Sequence, residues 1–280
     1  MDGPRTSAER GAVLDRLERG EMHVVGRIVD ASNVALLVEI GSVADAAHPE
    51  PLRAIYKPVR GERPLWDFPE GTLAGREVAS WLLAEATAYG IVPPTVLREG
   101  PLGAGSVQLW IGDPYADQDP ACAVVRLVPV GQRPQGWLSV LDSELGGRRA
   151  VTLVHQDADD VRDAAVLDAV LNNSDRKGSH LVRDSAGTLW GFDHGLTLHG
   201  EPKLRTVLWG WAGRPLRPTD VARLRRLAED LDGSTLRTAL DRVLPADDVT
   251  ALRSRVVRLA ADGIHPRPSR GWPSIPWPAL

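Results

Sequence analysis

The spacing of apolar and polar residues predicts a β-rich first half. Residues 7–19 carry apolar side chains at helical spacing, which predicts a short amphipathic helix. Residues 22–29 and 34–40 are β-rich runs separated by the turn residues 30–33, a pattern typical of a hairpin. Further predicted elements of this half are strands over residues 52–57, 95–98, 106–111 and 121–128 and a helix over residues 72–87.

After Pro129 the pattern predicts helices. Residues 159–171 form an apolar helix whose first turns carry aspartates, which suit the positive end of the helix dipole. Residues 180–183 and 188–192 predict a short hairpin, and three amphipathic helices follow, the last ending at Gly263. We expect an α+β, two-lobed fold. Its expected parts are an N-terminal helix (1–20), a β-rich lobe with one helix (21–130), a helical lobe with a catalytic hairpin (131–264) and a Pro/Trp-rich tail (265–280).

The amino-acid composition excludes some classes of protein. The formal net charge of -4 and the isoelectric point near 6.0 argue against general nucleic-acid binding, which needs a basic surplus. The chain has no apolar run of transmembrane length and no apolar signal core at its start. Its single cysteine, Cys122, excludes an internal disulfide, and we expect it to be a small buried residue. Together these features indicate a cytoplasmic protein.

A lysine and a glutamate form the first candidate pair. Only three of the 33 basic residues are lysines. One of them, Lys57, ends a predicted strand on the face that also carries Ile55, where a charge is costly unless it is paired. Glu77 on the following helix is an available partner, and a strand lysine paired with a helix glutamate holds ATP phosphates in kinases. The alternative is a strand-end lysine that reaches solvent.

Two aspartate motifs follow in the second half. Asp175 stands in a polar loop after a buried helix, where it can accept a proton from a substrate hydroxyl, and His180 follows it by five residues. Asp193 ends a hairpin strand ahead of Gly195, which is how kinases present a magnesium ligand. Each motif alone is also compatible with an ordinary turn. A more specific signal for a kinase-like site than any one motif is the order in which the five residues occur, Lys57, Glu77, Asp175, His180 and Asp193.

The motifs resemble those of the phosphatidylinositol 3-/4-kinase-like superfamily. Ser174-Asp175-Arg176 resembles the family's Asp-Arg-x-x-x-Asn loop, and residues 192–196 (FDHGL) resemble its Ile-Asp-Asn/Phe-Gly-Leu string. The chain is also similar to a branch of small, poorly characterised actinobacterial proteins of this type. The resemblance covers about residues 20–260 and implies a protein-kinase-like fold with a nucleotide cleft between the lobes.

The resemblance implies a role for each matching residue. It implies that Lys57 contacts the phosphates of ATP and that Glu77 orients it. Asp175 would be the catalytic base, and Asp193 would hold Mg²⁺ together with His180. The remaining implied nucleotide contacts are Ser32 and Asn33 over the phosphates and Val125, Arg126 and Val128 at the adenine.

One departure leaves activity open. His180 stands where the family has Asn, and imidazole suits Mn²⁺ better than Mg²⁺. The leading hypothesis is an ATP-dependent phosphotransferase acting on a hydroxyl of a protein Ser/Thr or a small metabolite, with a lipid acceptor disfavoured because no basic membrane face is evident. The alternatives are a pseudokinase that regulates by binding nucleotide, and an unrelated α+β protein with chance motifs.

Overall fold

The structure is a computed structural model. It describes residues 3–4, 6–28, 33–41, 51–63, 65, 68, 73–113, 122–145, 149–269 and 273–280. Within these ranges, no helix combines the length and the apolar character that crossing a membrane requires.

Five antiparallel strands build the sheet of the N-terminal half, in the order β1-β2-β3-β5-β4. Their bounds are β1 Met22–Arg27, β2 Leu36–Ile40, β3 Leu52–Pro58, β4 Thr95–Gly100 and β5 Gly103–Leu109. Side chains alternate along β3, so that Ala54 and Tyr56 are fully buried in the core of this half. Ile55 and Lys57 are half-buried on the opposite face of the strand.

Two helices accompany this sheet, α1 Ser7–Arg19 and α2 Leu73–Ala86. Helix α1 begins with a capping box, in which the Thr6 side chain accepts from the Glu9 N–H and the Glu9 carboxylate accepts from the Thr6 N–H. Helix α2 is buried on most of its circumference because it packs against β4 and β5 on one side and the C-terminal half on the other. A Cβ at Gly75 would clash with the carbonyl oxygen of Val243, so this close approach requires glycine.

A second sheet of three antiparallel strands follows, in the order β6-β8-β7. Its strands are β6 Val125–Pro129, β7 Trp137–Leu145 and β8 Arg149–Gln156. The hydrophobic pattern did not predict β7 and β8, so the part after Pro129 holds more strand than expected. A β-bulge between Ser139 and Leu141 shifts the register of β7 and breaks its alternation.

The remaining elements agree closely with the predicted pattern. They are α3 Asp159–Leu171, β9 Leu181–Arg183, β10 Leu189–Gly191, α4 Pro218–Asp230, α5 Thr235–Leu240 and α6 Ala246–Asp262. Helix α6 ends at Gly263, whose φ of 62° is the left-handed conformation typical of a helix C-cap. Cys122 is exposed, so the expectation that it is buried is wrong.

The C-terminal segment packs back onto the chain. The Ser274 carbonyl accepts a hydrogen bond from the Thr206 N–H at 3.1 Å. The Ala279 carbonyl accepts one from the Gly178 N–H at 2.8 Å, three residues after Asp175. The segment therefore contacts the loop that follows α3.

Candidate active site

A lysine of β3 and a glutamate of α2 form an ion pair where the two halves meet. Lys57 Nζ lies 2.5 Å from Glu77 Oε1. The Glu77 side chain is only 3% exposed. Its second oxygen, Oε2, accepts a hydrogen bond of 3.0 Å from the backbone N–H of His194. Glu77 therefore connects the N-terminal sheet to the loop that follows β10.

Lys57 also contacts the aspartate at the start of that loop. Its Nζ lies 2.8 Å from Asp193 Oδ1. The Lys57 ammonium holds the pKa of the Asp193 carboxyl well below its usual range. Burial by itself would lower the pKa of Lys57, but the carboxylates of Asp193 and Glu77 outweigh burial and raise it. Lys57 and Asp193 are therefore both charged at neutral pH.

Asp175 lies in the loop that follows α3. The helix ends at Asn172 in the left-handed conformation, with a φ of 51°. The Asn173 side chain then accepts a hydrogen bond of 3.0 Å from the Asp175 N–H. Asp175 Oδ2 lies 3.1 Å from Lys177 Nζ. Burial raises the pKa of Asp175, Lys177 opposes this, and the charge of Asp193 adds to the rise, so the two aspartates are within electrostatic reach.

His180 faces Asp193 from the other side of the hairpin. Its Nε2 lies 3.6 Å from Asp193 Oδ2, which is too long for a direct hydrogen bond. Burial lowers the pKa of His180 to about 4, so the ring is neutral at physiological pH. Its Nδ1 is buried and has no hydrogen-bond partner among the described residues. A cation can bind Nε2 only when the ring proton is on Nδ1. That Nδ1–H is then buried without a hydrogen-bond acceptor, which costs free energy.

Asp193 and His180 are the two side chains of the site that are able to hold a divalent cation together. In the described ranges, no group of three or more His, Cys, Asp or Glu side chains could hold a metal ion. Asp193 Oδ2 and His180 Nε2 are 3.6 Å apart, near the separation of about 3 Å between neighbouring ligands of a magnesium ion. Magnesium commonly takes one or two protein ligands and completes its shell with phosphate oxygens and water.

The structure describes four of the five further residues expected to contact the nucleotide. Ser32 lies outside the described residues, and the Asn33 side chain accepts a hydrogen bond of 2.9 Å from the Arg63 N–H. Val125, Arg126 and Val128 lie on β6 in the second sheet, paired with β8. The structure thus brings together Lys57, Glu77, Asp193 and His180, and Asp175 lies within electrostatic reach of Asp193. The residues expected at the adenine lie on a separate sheet.

The sequence reasoning missed several polar residues that support the site. Arg176 and Asp168 are fully buried and paired, with an N–O distance of 3.0 Å. His194 is fully buried, and its Nε2 lies 2.7 Å from an Arg176 nitrogen. A signal was available for Asp168, because it is an acidic residue among the apolar residues of the last turn of helix α3, where burial requires a partner.

One relative covers nearly the whole chain. Protein Rv2133c of Mycobacterium tuberculosis (strain ATCC 25618 / H37Rv) is 42% identical to this chain over 268 residues, which cover 94% of each chain. The chain belongs to the Rv2133c family. No family model matches it.

A solved structure supports the fold of this Rv2133c-family chain. A structure of hydra Fam20 with sugar matches with a TM-score of 0.55 at 14% identity, covering 92% of this chain and 90% of that one. The crystal structure of the Helicobacter pylori proinflammatory kinase CtkA matches with a TM-score of 0.44 at 11% identity, covering 89% and 94%. The predicted two-lobed, kinase-like α+β fold is confirmed.

Proposed function

We propose that this chain is an ATP-dependent phosphotransferase of the phosphatidylinositol 3-/4-kinase-like type, acting on a hydroxyl acceptor. The observation that carries the proposal is the position of Lys57, whose Nζ lies 2.5 Å from Glu77 and 2.8 Å from Asp193. The Lys57 ammonium thus connects strand β3 to the loop after β10. A second aspartate, Asp175, lies within electrostatic reach of Asp193. A strand lysine paired with a helix glutamate, next to a metal-binding aspartate, is the arrangement that protein kinases use for phosphoryl transfer.

Each residue has a distinct task in the proposed reaction. Lys57 binds phosphate oxygens of ATP as a compact ammonium, while Glu77 keeps it oriented. Asp193, with His180 beside it, would hold a divalent ion, which would neutralise charge on the phosphates. Asp175 accepts the hydrogen bond of the acceptor hydroxyl. The acceptor oxygen then bonds to the γ-phosphorus as the bond to the leaving oxygen of ADP breaks, and the hydroxyl proton passes to Asp175.

The acceptor class and the remaining contacts stay predictions. We propose a protein Ser/Thr or a small metabolite as acceptor, in preference to a lipid. The assignment of Asn33, Ser32 and the β6 residues to nucleotide binding is one of these predictions, and a cytoplasmic location is another.

One observation favours a second candidate, a nucleotide-binding regulator with weak or no catalysis. His180 Nδ1 has no hydrogen-bond partner among the described residues, which disfavours the tautomer that could bind a cation through Nε2. In that case the chain would bind ATP through Lys57 without efficient transfer.

Labelled ATP separates the two candidates. The assay follows phosphate release and self-labelling from γ-labelled ATP, with Mg²⁺ and then with Mn²⁺. We expect Asp175→Asn to lower turnover by a factor of about 10² or more, the contribution typical of a positioned acid or base. Asp241→Asn, which removes an exposed partner of Arg237, is the matched control and keeps full turnover.

The other outcomes of the same assay are also informative. A wild-type protein that gains thermal stability with ATP, but labels with neither metal, would establish the regulator. No labelling and no stabilisation by ATP would refute nucleotide binding altogether.

A further inference from the structure

Four segments of the C-terminal half meet at one buried ion pair. Arg176 follows the candidate base Asp175 and is 0% exposed, as is its partner Asp168 on α3. The Arg176 Nε donates to both Asp168 oxygens, at 3.0 and 3.2 Å. Burying such a pair costs desolvation free energy, and apolar residues of similar volume often stabilise a fold equally well. Stability alone therefore does not account for this pair, and its other contacts matter.

The far end of the Arg176 guanidinium holds both neighbours of Asp193. One terminal nitrogen donates to the Phe192 carbonyl at 3.1 Å, and the other donates to His194 Nε2 at 2.7 Å. Asp193 itself has a φ of 59°, a left-handed conformation that is uncommon for a residue other than glycine. Such a conformation persists when its surroundings fix it. Arg176 and Glu77, which accepts from the His194 N–H, supply that fixation.

The Asp168 carboxylate reaches the other aspartate of the site. Its Oδ1 accepts a hydrogen bond of 2.9 Å from the Asn173 side-chain amide. The carbonyl oxygen of the same amide accepts the Asp175 N–H at 3.0 Å. Asp168 Oδ2 accepts a hydrogen bond of 3.0 Å from the Thr206 hydroxyl, so the segment that follows Asp193 also joins the network. Asp168 is thus connected to Asp175 through the Asn173 side chain and to the neighbours of Asp193 through the Arg176 side chain.

We infer that Asp168 and Arg176 are positioning residues that set Asp175 and Asp193 relative to each other. Neither touches the reacting atoms. Asp168 orients Asn173, which fixes the backbone of the acceptor-side Asp175, and Arg176 fixes the backbone of the cation-side Asp193. This inference rests on the proposed function, because it assigns these two aspartates to one reaction.

The variant that tests it is Arg176→Lys. Lysine keeps the charge opposite Asp168, but it lacks the planar fork that reaches the Phe192 carbonyl and His194 at the same time. The control is Asp220→Asn, which disrupts another ion pair with a fully buried carboxylate, to Arg217, away from the site. Both variants are expected to lower the free energy of unfolding, so stability alone does not distinguish them.

The first measurement is ATP affinity by calorimetry with and without Mg²⁺. We expect Arg176→Lys to bind metal-free ATP as the wild type does and to lose about tenfold or more of the affinity that Mg²⁺ adds, a loss typical of residues that support metal ligands. We expect kcat/KM for ATP, measured with Mg²⁺, to fall by at least the same factor, because kcat falls as well. Asp220→Asn should match the wild type in its affinity for metal-free ATP, in its affinity for ATP with Mg²⁺ and in its kinetic constants.

The second measurement needs neither metal nor nucleotide. Amide hydrogen exchange of residues 173–176 and 192–195 should be faster in Arg176→Lys and unchanged in Asp220→Asn. If Arg176→Lys does not fold, Thr206→Val removes one hydrogen bond to Asp168 at nearly constant shape, and we expect it to show the same changes to a smaller extent.

The results that overturn the inference differ from those that overturn the function. Unchanged Mg²⁺ dependence, kcat and exchange in folded Arg176→Lys would show that the pair is purely structural, as would unchanged values in Thr206→Val if that variant is the one measured. A wild-type protein that does not bind ATP would overturn the proposed function, and this inference with it.

Discussion

The ion pair between Lys57 and Glu77 gives the sharpest single test of the site. Glu77→Gln keeps the shape of the side chain and removes its charge. The neutral amide still offers one oxygen, so it can satisfy either Lys57 or the His194 N–H, but not both as the carboxylate does. Lys57 retains Asp193 as a partner at 2.8 Å, so the ammonium is not left isolated.

The size of the effect follows from these contacts. A hydrogen bond to a charged group contributes about 1.5–3 kcal/mol, and Glu77, at 3% side-chain exposure, is little screened by solvent. The partner that remains for Lys57 keeps the loss near the lower end of this range. We therefore expect ATP turnover to fall by a factor of about 10 to 30. The decrease should appear mainly in kcat/KM for ATP. Without the charge of Glu77, the Lys57 ammonium moves toward Asp193 and away from the place where it contacts the phosphates.

A control of the same chemical type lies on the same helix. Glu85 pairs with Arg10 at 2.8 Å, and both side chains are 31% exposed. Exposed pairs contribute about 0–1 kcal/mol, so Glu85→Gln should change neither turnover nor ATP affinity. The assay is steady-state phosphate release from ATP, with the folded fraction of each variant checked by urea unfolding. Equal kcat/KM for wild type and Glu77→Gln would show that this pair does not orient a phosphate-binding lysine.

Two further predictions concern stability. His155 Nε2 accepts a hydrogen bond from the Gly210 N–H, and burial lowers the pKa of His155 to about 4. Because the unfolded chain binds this proton near pH 6.5, stability is lost as the pH falls from about 6.5 to about 4, and His155 accounts for about 2 kcal/mol between pH 7 and pH 5. Urea unfolding of His155→Gln should show a shallower loss over that interval than the wild type, and an identical loss would contradict the assignment. Gly75→Ala forces a Cβ against the Val243 carbonyl and should destabilise by about 1–3 kcal/mol, whereas Gly11→Ala in α1, with open space around it, should stabilise by up to about 1 kcal/mol. Stabilisation by both glycine replacements would show that α2 can move away from Val243.

The sequence by itself determined the elements whose signals are local. Helix α3 spans residues 159–171 as predicted, because its apolar spacing, acidic first turn and polar ending all lie within the helix. Strand β7 was missed because the bulge near Ser139 breaks the alternation that identifies a strand. Strand β8 shows no alternation either, because five consecutive residues of it are buried. The order of the five candidate residues was readable as a kinase-like series. Lys57, Asp175, His180 and Asp193 stand at or beside the ends of predicted elements, and Glu77 stands on the helix that follows the Lys57 strand.

Only the tertiary structure decided which of these charges meet. Lys57 and Asp193 are 136 positions apart, and their 2.8 Å contact depends on how the two halves pack. The same holds for the pair of Asp168 and Arg176, which the sequence shows only as an acidic residue in an apolar helix and one arginine among many. Helical and strand periodicity report which face of an element is apolar, but ion pairs across the molecule form through packing that periodicity does not encode.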